Sequence, residues 1–503
     1  MKNLIEISRI VTKRKVKKIE IFDELSLRHK NSKFNEFYEA LRDNKYKNDR
    51  EAANALYNCS PTAAKYRQLK SRFRKRLLNT LFFLDINAPS VPNYEKGYYH
   101  CNREWAVIKI LLSQNANNAA AYLASQLLTV SLKFRFADLI VNCARILRDH
   151  AAEEANERDY EIYDNHIKHF SQVLEAEIRS EEFLQRVVMN CEKPVTKSHN
   201  LREKIDSYCE ALVSLSEQFD SPVVFFNMYF VWIYRYEMLQ DFEAMLEVCE
   251  QGDLYIANNT LFEQEDKKVF FQIKKMSAYL HLQNYRDGRA NAEKSLKTFT
   301  EGSDYWFQFM EYYFLLAMHT ENYIHAVAIF STVNEHPKFK KLDPISKEKW
   351  YVFEAYLHFL VESDGKQNRV LQMKASSDFK VNRFLMETFA NTKDEVIFTI
   401  LLSILQILFL LERRNLSGLS EKVERLKKLS TRLVRKEEYY RPVQFIRLLH
   451  QLHKVDFQSE DMANLNKYLN ALAEHPFFYQ GKVSDLEVIP YEKLWRRILA
   501  YFN

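Results

Sequence analysis

Glycine and proline are scarce in this chain, 7 and 10 among 503 residues, where ordinary usage would give about 7% and 5%. Strand-rich folds and α/β enzymes need both residues at their turns, so the scarcity argues against them and for an almost wholly helical protein. Seven scattered glycines cannot build a glycine-rich phosphate loop, and neither HExxH nor GxSxG occurs. The six cysteines, at 59, 101, 143, 191, 209 and 249, are never closer than 18 residues, which excludes CxxC and zinc-ribbon spacing. Most fall on apolar helical faces, as buried free thiols do, and imply a reducing, cytoplasmic compartment. Residues 1–18 are broken by Glu6, Arg9 and a basic run, so they form no secretory core. One apolar run, residues 396–411, is sixteen residues long and contains Thr399, Ser403 and Gln406. A spanning helix needs about 20. The run therefore predicts a buried central helix, and no membrane span is expected.

What the chain has in abundance is aromatic and helix-forming residues. Aromatics make up 14%, with 36 Phe and 29 Tyr, bulk suited to filling the gaps between packed helices. Apolar residues recur at three- and four-residue steps. Together these predict more than two thirds helix and no sheet.

Residues 229–334 carry one pattern three times. A long aromatic helix leads to a short polar turn, and a second helix with small residues follows. The turns read Leu239-Gln240-Asp241-Phe242, Leu282-Gln283-Asn284-Tyr285 and Thr320-Glu321-Asn322-Tyr323, with closing aromatics 43 and 38 residues apart. A period of this size marks stacked helical hairpins, because a single hairpin cannot bury its apolar face alone. Ala326 and Phe330 stand three and seven residues after Tyr323, with Pro337 ending the unit. Gly288 and Ser295 stand three and ten after Tyr285, and Gly252 ten after Phe242. Ala137, Val141 and Ala144 repeat the rhythm after Phe134. These offsets resemble the tetratricopeptide repeat over about 110 residues, although Met245 and Cys249 replace the expected residues in the first unit and the Trp-Leu-Gly signature of the first helix is not kept. The resemblance implies an all-α, right-handed helical-hairpin solenoid whose inner face, lined by first helices, binds a protein or peptide partner. On that face it points to Asn227, Tyr234, Gln272, Lys275, Gln308 and Tyr312.

The charge is uneven. Residues 1–80 hold 21 Lys and Arg against 9 Asp and Glu, a net of +12, while the whole chain is +6 and the remainder therefore −6. Such asymmetry suits an anionic partner. One basic cluster is Lys13-Arg14-Lys15-Val16-Lys17-Lys18. The other lies on a helix expected to start at Ser60-Pro61, with an apolar stripe of Tyr66, Leu69, Phe73, Leu77, Leu81 and Leu84. A short helix predicted over residues 50–57 precedes it, giving the outline of a helix-turn-helix. In that geometry Arg67, Lys70, Arg74 and Lys75 would meet phosphates, and Thr62, Lys65 and Tyr66 would approach base edges. Any helical hairpin shares this outline. Tetratricopeptide arrays joined to DNA-binding modules in bacteria are similar in arrangement.

Pro89 and Pro92 mark a linker at residues 87–94. It separates a basic N-terminal region, residues 1–90, from an array at 95–503 that ends in an amphipathic capping helix with Leu494, Trp495, Ile498 and Leu499 inward and Arg496 and Arg497 outward. Residues 153–178 are expected to form one long charged helix. Two histidine pairs, His166 with His169 and His450 with His453, have helical spacing, but neither stretch supplies an obvious third ligand. No metal or cofactor and no enzymatic activity are expected. Two classes of function stay open: a protein-binding scaffold or adaptor, and a nucleic-acid-binding transcriptional regulator with the array as sensor.

Overall fold

The computed structural model describes residues 33–81 apart from 43, 44 and 47, and residues 93–191, 199–364, 381–386, 396–433, 439–454 and 465–500. Among the described residues 85% are helical and none is in a strand. The Lys13–Lys18 cluster and nearly all of the predicted linker lie outside them. The chain divides into two compact units, residues 1–172 and 173–503.

In the first unit, α1 (Lys33–Arg42), α2 (Asp49–Tyr57) and α3 (Ala64–Leu81) share a core of Phe37, Leu41, Ala52, Leu56, Tyr66, Leu69, Phe73 and Leu77. Asn48 caps α2 through a hydrogen bond from Glu51 N to its side chain (2.9 Å). The basic helix starts later than Ser60-Pro61 predicts. Residues 60–63 form a separate turn, closed by Ala63 N to Ser60 O (3.1 Å), and α3 begins at Ala64. Next come α4 (Asn93–Ser113), α5 (Asn117–Phe134) and α6 (Ala137–Glu153), each packed on the next. The hairpin expected here exists, but α6 opens at Ala137, so a rhythm counted from Phe134 starts three residues early. Nor is there one helix over 153–178. The chain turns at Ala155, where φ is +53°, and α7 runs Glu157–Cys191.

The second unit continues with α8 (His199–Gln218) and then the predicted triplet: α9 (Pro222–Leu239) with α10 (Phe242–Asn258), α11 (Glu265–Leu282) with α12 (Tyr285–Ser295), and α13 (Asp304–His319) with α14 (Tyr323–Asn334). Each expected turn is one structure repeated. Gln240, Gln283 and Glu321 are left-handed, with φ of +56°, +51° and +63°. Each donates three residues back, and the next residue donates five back, as Gln240 N to Glu237 O (3.1 Å) and Asp241 N to Tyr236 O (3.0 Å) show. This is the double hydrogen bond of a Schellman ending, made without glycine.

The small residues do what their spacing predicts. A Cβ on Gly252 would lie 2.4 Å from the Phe271 ring, and one on Gly288 would lie 2.5 Å from Leu316 Cδ2. Helix α10 therefore lies against α11, and α12 against α13, at distances that only glycine allows. Gly252→Ala should destabilise the protein by about 1–3 kcal/mol, because Phe271 is fully buried and cannot swing aside. That outweighs the gain of roughly 1 kcal/mol in helix propensity. A urea midpoint equal to or above wild type would show the contact to be slack.

Beyond the triplet lie α15 (Pro344–Asp364), α16 (Val381–Met386), α17 (Val396–Glu412), α18 (Leu416–Thr431), α19 (Tyr440–Lys454) and α20 (Leu465–Glu474). Helix α17 is the predicted central helix, buried along 397–411 except at the half-buried Ser403. Its one amide there, Gln406, donates to Phe384 O (2.7 Å) and accepts from Lys422 Nζ (2.8 Å). Among the described residues no helix is long and apolar enough to cross a membrane. The last helix, α21 (Tyr491–Ala500), buries Leu494, Trp495 and Ile498, leaves Leu499 half-buried and leaves Arg496 exposed. Arg497 instead turns inward to Tyr323, donating to its hydroxyl (3.1 Å).

Candidate partner-binding groove

Between α20 and α21, residues 475–490 carry no α-helix. They run back across the first helices of the triplet as a strap. Phe477 stacks against His281 and His319, and Phe478 lies near Phe242. Backbone groups of the strap are held by side chains of the array. Tyr479 N donates to His281 Nε2 (2.9 Å), Lys349 Nζ donates to Gly481 O (3.1 Å), and His319 Nε2 lies 2.6 Å from Glu487 O. At the centre Tyr479 is fully buried, with its hydroxyl on Glu311. Lys349 reaches that same carboxylate (2.8 Å). Burial and the Glu311 charge push the Tyr479 phenol well above its usual value.

Beside the strap is a cavity of about 550 Å³. Tyr234, Lys274 and Lys267 line it from α9 and α11, Tyr305, Gln308 and Tyr312 from α13, and Gln480 and Lys482 from the strap. Lys274 is clamped by both oxygens of Glu237 (2.7 and 2.6 Å) and lies over the Tyr234 ring, 4.8 Å from its centre. Burial pulls its ammonium down, but the Glu237 carboxylate outweighs this and holds it above its ordinary value. Lys267 lies over Phe230 (5.3 Å). The walls are thus aromatic and the rim charged, with Lys267 paired to Asp266 (3.2 Å) and Lys274 to Glu237, and with Tyr305 and Gln308 exposed. Such a surface can take an extended segment that presents an apolar or aromatic side chain flanked by polar groups.

The structure brings together three of the six residues that the repeat pattern singles out: Tyr234, Gln308 and Tyr312. The other three are buried between helices. Asn227 donates to Ser180 Oγ (2.8 Å). Gln272 and Lys275 both turn to Asp253 on α10, and Gln272 also accepts from Ser295 Oγ (2.6 Å). Sequence reasoning missed the strap and the two lysines. The signal available was the aromatic run Phe477-Phe478-Tyr479 after Pro476, between helices and without helical spacing.

At the basic end, Thr62, Lys65, Arg67, Arg74 and Lys75 are exposed, along with Arg72. Lys70 is half-buried and bound to Asp49 (2.6 Å). Tyr66 cannot approach a groove in nucleic acid: it is 1% exposed and donates to Asp49 Oδ1 (2.8 Å), an ordinary core tyrosine on the apolar stripe. Comparison with known proteins finds no family model, no curated protein and no solved structure that matches the chain.

Proposed function

We propose that this chain is a non-enzymatic scaffold or adaptor of the helical-repeat type. On this reading it is a right-handed, tetratricopeptide-like array that binds an extended segment of a protein partner on the inner face of its first helices. The observation that carries the reading is the strap. The array grips an irregular stretch of its own chain through that stretch's backbone, at Tyr479 N, Gly481 O and Glu487 O. Main-chain hydrogen bonds give affinity for an extended peptide, and side-chain pockets give specificity, in other modes of peptide capture. The cavity of Tyr234, Lys267, Lys274, Tyr305, Gln308 and Tyr312 adjoins the strap and offers the next stretch of the same surface. A cytoplasmic location belongs to this reading and is supported by the unpaired, mostly buried thiols at Cys101, Cys143, Cys209 and Cys249.

A second reading, a nucleic-acid-binding regulator, is favoured by the basic face of α3. Its apolar stripe is satisfied by α1 and α2, leaving Arg67, Arg74 and Lys75 exposed. Affinity capture of the intact protein from its own cell separates the two. The scaffold reading expects a protein partner that survives nuclease treatment and is lost from a Lys267→Glu/Gln308→Ala variant. A partner lost on nuclease treatment, and from an Arg67→Ala/Arg74→Ala/Lys75→Ala variant only, would sink the scaffold reading and leave the regulator. For the regulator, duplex binding should weaken steeply with salt.

A further inference from the structure

His450 and His453 stand three residues apart on α19, so they share a face. The fold gives them the third ligand that their own stretch lacks. Glu424 on α18 places Oε1 3.1 Å from His450 Nε2 and 3.7 Å from His453 Nδ1. The three ligand atoms all lie within 4.8 Å of one another, and among the described residues this is the one such grouping of His, Cys, Asp and Glu. An ion with bonds of about 2.0–2.2 Å in tetrahedral geometry holds its donor atoms roughly 3.3–3.6 Å apart. The two Glu424–histidine separations, 3.1 and 3.7 Å, lie on either side of that spacing. We propose that Glu424, His450 and His453 form a binding site for a divalent transition metal, with zinc the best fit, that clips α18 to α19.

The donor set decides the class of ion. Two imidazole nitrogens and one carboxylate suit zinc, nickel, cobalt or copper, whereas magnesium and calcium need shells of oxygen. Three protein ligands leave the remaining position to water, and Glu424, at 42% exposed, lies at the solvent edge. Burial, with Lys427 next, depresses the His450 pKa. Lys427 competes for Glu424 from 3.8 Å. Its ammonium sits on a flexible, 41% exposed stem and can move off when an ion arrives. A bound ion replaces the proton shared by Glu424 and His450 and joins two helices otherwise held by apolar contacts, so it stabilises the folded chain.

The test uses the full chain, stripped with a chelator and then titrated with zinc, cobalt and magnesium chlorides. The expected result is one equivalent of zinc bound, a raised melting temperature with zinc and not with magnesium, and visible absorption from a low-coordinate cobalt site. Glu424→Ala and His453→Ala replace partly exposed side chains and should fold, as circular dichroism checks. Each should weaken zinc binding by at least the roughly 10–100-fold seen when even an outer-shell partner is lost. His166→Gln/His169→Gln on α7 should bind like wild type. No stoichiometric zinc binding by wild type, an equal effect of magnesium, or undiminished binding by both alanine variants would each overturn the site.

Discussion

Arg441→Ala is expected to destabilise the protein by about 3–5 kcal/mol, the cost of removing one partner from a buried ion pair. The guanidinium lies at the start of α19 and gathers the end of the chain around itself. It donates to both oxygens of Glu487 (3.0 and 3.0 Å), both of Glu492 (2.9 and 3.0 Å), and the carbonyls of Leu472 (2.9 Å) and His475 (2.6 Å). Its side chain is 12% exposed and that of Glu487 3%. Burial pushes the Glu487 carboxyl up and the Glu492 charge adds to this, with Arg441 opposing them. Without Arg441 that carboxylate must protonate or remain an uncompensated charge. Arg441→Lys should recover only part of the loss, since one ammonium cannot span two carboxylates bidentately. Arg441→Met/Glu487→Met should recover much more, because both charges go together. Urea unfolding measures all three variants. A loss below about 1 kcal/mol for Arg441→Ala would show that the cluster is solvated like a surface pair.

The array was legible in the sequence because its determinants are local. The closing aromatics at 242, 285 and 323 mark the start of each second helix, and the small residues at 252 and 288 mark where two helices nearly touch. The same turn also occurs at Asn115 and Ala155, both left-handed, and there the sequence gives no sign of it. Glycine normally flags such a turn, but this chain makes it with Asn and Ala, leaving no compositional mark. Tyr66 shows the limit of reading a helix by charge: its place on the apolar stripe, rather than its place near the helix start, decides where it points. The strap and the Glu424 ligand were illegible for a different reason. Tyr479 meets residues 130 and 168 positions away, and His319 meets Glu487 across 168. No periodicity records such a pairing. The resemblance points Asn227, Gln272 and Lys275 to the inner face, yet Ser180 and Asp253 on neighbouring helices hold them.

Acid should release the strap before it unfolds the array. Two histidines, His281 half-buried and His319 fully buried, hold strap backbone, and both do so as neutral rings. His281 accepts from Tyr479 N at Nε2, so its proton is on Nδ1, directed at Ser277 O (2.6 Å). His319 gives its Nε2 proton to Glu487 O. Burial pushes the His281 pKa down to about 4, with Lys274 adding to it, and that of His319 down to about 3, with Lys493 and Arg441 adding. In the unfolded chain both return to about 6.5. Between these values the unfolded state binds more protons, so stability rises with pH. It is complete above about 6.5 and declines as pH falls toward 4 for His281 and toward 3 for His319. Each pH unit in the window is worth about 1.4 kcal/mol per ring, so His281 alone withdraws roughly 3 kcal/mol by pH 4. A protonated His281 also turns a second N–H toward the Tyr479 N–H, which converts that hydrogen bond into a clash of donors. The strap should therefore open locally while α9 to α14 stay folded. Hydrogen exchange at residues 475–490, corrected for intrinsic rates, should show protection falling between pH 7 and about pH 4.5 while protection of α13 persists. His281→Gln keeps an acceptor without the titration and should blunt the fall. Strap protection that is equal at both pH values in wild type would mean that these rings do not control it.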